Sequence, residues 1–316
     1  MRKLSLVFVI SFLFFNCVRA GDDLASKLKT VGVGYAQGYL QPFANAFGAD
    51  INSGFFHGAK MNNGFHLYFG IRGFAAMVPT SDQTFNYSES TTYQGIPVTL
   101  SGTDLPTVFG DENTKGVVTG TIPGSNLTLT DSTISGFKKL SFAPLGAPQA
   151  TIGTIMGTDF TLRLFPKTNI GDYGSIGFWG VGVRHSISQY LGGDEAPVDI
   201  AVGFMLQSLT VTAKDTTGTG GINDYDFFKA NAWLANIEVS KSFSLLTLYG
   251  GMQLEKASMD IQYYSNAQDN LKLSMDAKNT FRAIVGANLG LGPLNINADY
   301  NMGSTSVISG GVGFSF

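Results

Sequence analysis

Chemistry in this chain would have to come from three histidines, one cysteine and a modest set of charged side chains, so their spacing is read first. His57, His66 and His185 stand far apart, in none of the short spacings that place two metal ligands on one face, and no metal site is expected. The run Arg184-His185-Ser186 suggests a hydrolytic Ser–His pair. On a strand such a pair must sit two residues apart to share a face and a proton, and the residue two past His185 is Ile187. No catalytic residue is therefore expected, and the chain is read as a non-enzyme. Gly32, Gly34 and Gly38 do not match G-x-G-x-x-G, so nucleotide binding is dropped and no cofactor is expected. Asn86-Tyr87-Ser88 and Asn126-Leu127-Thr128 are chance matches to a glycosylation sequon, and no basic run points to nucleic acid.

What remains is a set of polar residues that fall opposite apolar rows: His66, Arg72, Arg163, Arg184, Glu238, Gln253, Glu255, Arg282 and Asp299. They could line a substrate path. The plainer reading is that they are paired charges of a wet interior, holding strands together and tying down a resident segment.

The elements that would position them are strands. From Leu271 to Leu291 apolar residues alternate with polar ones, with Leu271, Leu273, Met275, Ala277, Phe281, Ala283, Val285, Ala287 and Leu289 on one face. From Leu294 to Met302 the same period places Leu294, Ile296, Ala298, Tyr300 and Met302 opposite Asn295, Asn297, Asp299 and Asn301. A period of two means a strand, and strictness over such lengths suits a wall with lipid on one side and a wet lumen on the other. Similar strands are read at about 65–78, 150–166, 173–190, 196–213, 228–241 and 244–264, each with an outward apolar row. With the final strand these make nine.

Connections alternate between tight turns, at 241–244 and 290–293, and longer polar loops, at 213–226 and 264–270. Closure with both termini on one side requires an even number of strands, so residues 80–149 must add an odd number. The expected fold is all-β, an antiparallel transmembrane β-barrel of 12–14 strands, with ten also allowed. Part of 80–149 is expected to be a loop-rich extracellular insertion within a barrel spanning 64–316.

Before the barrel, residues 21–63 are read as a plug. Tyr35, Tyr39, Phe43 and Phe47 recur every four residues, which indicates a short helix, interrupted near Pro42. Such an aromatic stripe needs burial and the barrel interior is adjacent, so a lumen plug is preferred to a periplasmic appendage.

Residues 1–20 read as a secretory signal: Arg2 and Lys3, an apolar run from Leu4 to Phe15, then Val18-Arg19-Ala20. Cleavage after Ala20 removes Cys17, the only cysteine, and with it any disulfide or thiolate chemistry. A lipoprotein signal at Cys17 is disfavoured because Phe14-Phe15-Asn16 is a poor lipobox. Charged residues make up only 14 % of the chain, below the quarter or so of an ordinary soluble domain.

Two resemblances follow. The ending "GGVGFSF" resembles the barrel-assembly signal of outer-membrane proteins, with terminal Phe316 and apolar Phe314 and Val312 at alternate positions before it. It implies recognition by barrel-assembly machinery. The segments "GYAQGYLQPFANAFGADINSGFFHGAK", "PQATIGTIMGTDFTLRLFP" and "GVGVRHSISQYL" resemble a family of outer-membrane barrels without an assigned role, loosely similar to the long-chain fatty-acid transporter superfamily. The Asn-Pro-Ala-Gly stretch of that superfamily's hatch is replaced by Asn52-Ser53-Gly54, so fold and plug carry over as expectations and substrate does not.

The leading expectation is a plugged, porin-like transporter of the bacterial outer membrane, reached by export across the inner membrane. It would pass small hydrophobic or amphipathic molecules, with Tyr35, Tyr39, Phe43 and Phe47 lining the path and lipid as its surroundings. The alternative is a non-transporting structural or adaptor barrel, serving secretion or surface assembly, that presents residues 80–149 to partners.

Overall fold

The computed structural model describes residues 31–61, 64–93, 95–125, 128–137, 139–154, 156–169, 174–213, 225–264 and 270–316. The expected signal at 1–20, Cys17, the sequon residue Asn126 and most of the two polar loops lie outside the described residues. The chain divides into two compact units.

The larger unit holds residues 45–77, 144–259 and 276–316. Its wall is built from β1 (His66–Met77), β6 (Phe142–Gly153), β7 (Thr158–Asn169), β8 (Gly174–Ser186), β9 (Asp199–Ala213), β10 (Tyr225–Phe243), β11 (Leu246–Tyr264), β13 (Phe281–Leu291), β14 (Leu294–Met302) and β15 (Val307–Ser315). An eleventh strand, β12 (Asn270–Asp276), pairs with β11 beside β13. The sheet order β10-β9-β8-β7-β6-β1-β15-β14-β13-β11 closes on itself through a β10–β11 pairing, so the ring has ten strands. First and last strands meet over a register from Tyr68↔Ser315 to Ala76↔Val307, and Leu67 and Phe316 exchange both backbone hydrogen bonds, at 2.9 and 2.8 Å.

Alternation decides which way each side chain points. Leu162 is 44 % exposed and its neighbour Arg163 0 %, and the same contrast separates Ile71 from Arg72 and Ile237 from Glu238. Apolar residues thus face outward around the ring while charged residues are buried within it, the reverse of a soluble protein and the arrangement of an outer-membrane barrel.

Ten is the lowest strand count the sequence allowed, because residues 80–149 contribute only β6 to the ring. The stretch read as one strand at 150–166 is two, β6 and β7, joined by a turn with Gly157 at φ +60°. Part of the insertion, expected to be rich in loops, forms a separate four-stranded sheet. The end of the barrel with tight turns also carries a longer connection, residues 187–198, with two short 3-10 turns.

The face assigned to 271–289 also changes partway. Phe281, Val285 and Leu289 are exposed as expected, but Leu273, Met275 and Ala277 are buried, and Lys272, Ser274 and Asp276 face out. The break at 277–280 interrupts the period, with Thr280 and Phe281 both exposed. Lys256, exposed on β11, pairs with Asp276 at 3.0 Å. A charged outward pair marks where the wall leaves the apolar layer.

The smaller unit holds 31–44, 78–143 and 260–275, so far as these are described. It contains the four-stranded sheet β2 (Thr84–Tyr93), β3 (Ile96–Pro106), β4 (Val117–Thr121) and β5 (Thr128–Ser132), in that order. It also holds the first part of α1 (Val33–Ile51), the one long helix among the described residues, which runs unbroken through Pro42 rather than stopping there. Pro42 removes the hydrogen bond to the Gly38 carbonyl, but burial of Tyr39, Leu40, Phe43 and Ala44 holds the turn. The Phe85 ring occupies the space at Gly38, where a Cβ would lie 2.3 Å from it.

Candidate functional site

A helix end leaves carbonyls without partners, and inside a barrel few waters can serve them. The last turn of α1 and residues 52–59 meet this problem within the larger unit. Gly48 packs the helix against the wall so closely that a Cβ would stand 2.5 Å from the Ala277 methyl and 3.0 Å from that of Ala257. Gly54, at φ +63°, turns the chain out of the helix, and a Cβ there would meet Phe74 at 2.6 Å. The two phenylalanines that follow, Phe55 and Phe56, join Met205, Leu234, Tyr249 and Ile284 in a buried cluster.

Four wall arginines supply the missing donors. Arg163, on β7, donates to the carbonyls of Ile51 (3.2 Å), Ser53 (2.8 Å) and Gly54 (2.7 Å), and to the side chains of Gln149 (3.0 Å) and Gln207 (2.9 Å). Arg282, on β13, donates to the Ala49 carbonyl at 2.9 Å and to Glu255 at 2.6 Å. Arg72, on β1, reaches the Phe56 carbonyl at 3.4 Å and Asp299 at 3.3 Å. Arg184, on β8, bonds the Gly58 carbonyl, grips Glu238 through Nε at 3.1 Å to each oxygen, and lies 3.5 Å from Asp159. Gln253 adds a bond to the Asn52 carbonyl at 2.9 Å, and Ser240 accepts from the Ala59 amide at 2.9 Å. Cations thus sit where the helix dipole and the turned chain concentrate negative charge.

The polar residues singled out from the sequence are therefore gathered in one place: Arg72, Arg163, Arg184, Glu238, Gln253, Glu255, Arg282 and Asp299 are all buried inside the ring. His66 points inward too, 3.3 Å from Asp159. The aromatic stripe is divided. Phe47 is buried in the larger unit, whereas Tyr35, Tyr39 and Phe43 pack in the smaller one. There Tyr35 meets Phe85 and Tyr87 at 5.5 and 6.0 Å, Tyr39 donates to the Ser135 carbonyl at 3.2 Å, and Phe43 lies 6.4 Å from Phe109. Burial raises the Tyr35 phenol to about 12. Val312, Phe314 and Phe316 are outward and exposed on or just beyond β15.

Sequence reading missed two amides that complete the network, Gln149 and Gln207, although the same alternation that selects Arg163 places them inward. It also missed a cavity of about 410 Å³ at the tight-turn end of the barrel, lined by Phe55, His57, Lys60, Tyr68, Asp159 and Asn288 among others. Among the described residues His57 Nδ1 and Asn288 Oδ1 are buried without hydrogen-bond partners. Burial, reinforced by Arg72 and Arg184, lowers His57 to about 3, and burial drives the Asp50 carboxyl well above its ordinary range. Among the described residues no group of three or more His, Cys, Asp or Glu could hold a metal ion.

A model for a family of unknown function, DUF6588, matches residues 1–316. No curated protein matches the chain. Among solved structures, the β-domain of the Bordetella autotransporter Brka is similar at 11 % identity and TM-score 0.33, over 80 % of this chain and 98 % of that one. The translocator domain of the autotransporter NalP from Neisseria meningitidis is similar at 13 % identity and TM-score 0.24, over 96 % and 97 %. A porin refined at 1.8 Å is similar at 12 % identity and TM-score 0.22, over 78 % and 100 %. At these scores the likeness carries no functional assignment.

Proposed function

The chain belongs to DUF6588, a family that brings no activity with it, and we propose that it works as a sealed barrel of the bacterial outer membrane. In this reading residues 45–61 are a permanent plug, and the barrel is a structural anchor that displays the helix-and-sheet unit to partners. One observation carries it: Arg163, fully buried, spends three of its five hydrogen bonds on plug carbonyls. Three other arginines from separate strands do the same at Ala49, Phe56 and Gly58. A plug meant to leave would strand these carbonyls and guanidinium groups together, each at a cost.

The outward apolar belt supports outer-membrane lipid as the surroundings, and the exposed Val312, Phe314 and Phe316 support capture by assembly machinery. Export by the 1–20 signal belongs to the same proposal, as does the absence of catalysis.

The cavity beside His57 favours a second reading, a transporter for a small amphipathic molecule. Its lining mixes Phe55 and Phe316 with Lys60 and Asp159, and its partnerless polar atoms could bind a headgroup. In that case the path does not use Tyr35, Tyr39 or Phe43, which are committed to the smaller unit.

Planar-bilayer recording and liposome swelling separate the two. The sealed barrel gives no steps and no solute entry in the intact protein, and both appear when residues 31–61 are deleted. Spontaneous conductance of the intact chain, or uptake of an amphipathic solute lost on deletion, would instead support transport.

A further inference from the structure

The β2–β5 sheet has two unlike faces. One buries Tyr87, Val98 and Val118. On the other, registered pairing lines up hydroxyls across all four strands. Ser88 pairs with Ser101, Ser101 with Thr119, and Thr119 with Thr130. Beside this ladder Ser90 pairs with Thr99, Thr99 with Thr121, and Thr121 with Thr128. Each strand contributes two hydroxyl residues separated by one residue, so the rows run about 4.8 Å apart between strands and about 6.7 Å along them. The grid spans about 14 Å across the sheet.

β-Branching explains threonine in a strand, but edge strands are commonly blunted with charged side chains, and the ladder positions on the edge strands β2 and β5 carry none. Glu89 and Asp131, the charged residues paired within these strands, lie opposite Leu100 and Val118 on the other face. Asp104 sits at a bulge with φ +52° and donates its amide to Asn86. A groove of about 500 Å³ lies at the Asn86 end of the first ladder, lined by Asn86, Tyr87, Ser88, Ser101, Gly102, Thr103, Val117 and Thr119.

From this we infer that the hydroxyl face of the β2–β5 sheet binds a neutral polysaccharide chain. Every hydroxyl is both donor and acceptor, which matches the hydroxyls of a sugar, and exposed Val117 offers an apolar contact for sugar C–H groups. A charged polymer would find no counter-charge on the ladders. An apolar ligand would bury the hydroxyls without partners. With no aromatic residue in the two ladders to stack on the sugars, single contacts are weak and binding gains from repetition along the polymer. The inference does not rest on the sealed-barrel reading, since every residue in it belongs to the smaller unit.

The test uses the full mature chain in detergent micelles, sedimented with amorphous cellulose, chitin or granular starch, and passed over heparin-agarose as the acidic control. The wild type is expected to co-sediment with at least one neutral polymer, to be released by soluble oligosaccharide of the same sugar, and to pass through heparin. The variant T99V/T119V/T121V/T130V keeps side-chain shape and strand propensity while removing four hydroxyls, and should bind at least tenfold more weakly. Heat-dependent gel mobility of the barrel and protection from trypsin check that it folds, and S88A/S101A gives an independent second reading. Retention by none of the three polymers, retention by heparin alone, or undiminished binding in both variants would overturn the inference.

Discussion

Replacing Arg163 by Met tests the seal most directly. The methionine keeps an apolar stem against the Phe74 ring, over which the guanidinium carbon now sits at 5.1 Å, and removes every donor. Three plug carbonyls lose bonds of 2.7–3.2 Å, and at about 1.5 kcal/mol for each bond to a charged donor the segment loses about 4–5 kcal/mol of anchorage. Water entering the vacated space recovers part of that. The population of unseated segment should therefore rise by between about tenfold and a thousandfold. Hydrogen exchange read at the amides of residues 49–58 reports this population, and bilayer recording reports its consequence as intermittent current. The barrel's own heat-modifiable gel mobility should persist, because the wall strands are bonded to one another. If R163M protects those amides as well as the wild type and remains electrically silent, the reasoning from the arginine to the seal is wrong.

Gly54→Ala forces a side chain into a left-handed residue and against Phe74, and should destabilise the folded protein by about 2 kcal/mol or more, read as a lowered thermal midpoint in detergent. His57 is neutral in the folded protein and its pKa is depressed to about 3, so the unfolded chain binds its proton first as pH falls. Its contribution is complete above about pH 6.5 and is lost between there and about pH 3, with a slope of at most about 1.4 kcal/mol per pH unit. H57Q should flatten a pH–stability curve over that window, while an unchanged curve would remove His57 from the account. Val285→Arg places a charge on the lipid-facing row and should cost about 2–4 kcal/mol, whereas Ser274→Arg, on the polar row beyond the break, should be nearly neutral in urea unfolding from lipid vesicles.

Much of the wall was legible in the sequence because a strand's period is two and each face meets a different medium. Leu162 and Arg163, or Ile237 and Glu238, are adjacent in the chain and opposite in surroundings, and alternation alone assigns them. It failed where the period slips, at 277–280, since one extra outward residue turns Leu273 and Met275 inward and no local signal announces the slip. It failed again at Pro42, where the intrinsic tendency to break a helix lost to burial of the residues around it.

By itself the sequence determined the all-β wall, the inward placement of Arg72, Arg163, Arg184 and Arg282, and the alternation of Val312, Phe314 and Phe316 along the last strand. These follow from residue type and a repeat of two, which act locally. Only the tertiary structure decided that the ring closes at ten strands, that the arginines end on the carbonyls of residues 49–58, and that the aromatic stripe of α1 divides between two units. Three of the four arginines reach carbonyls more than a hundred positions away, as Arg163 reaches Ile51, and no local pattern records which carbonyl a distant guanidinium will find.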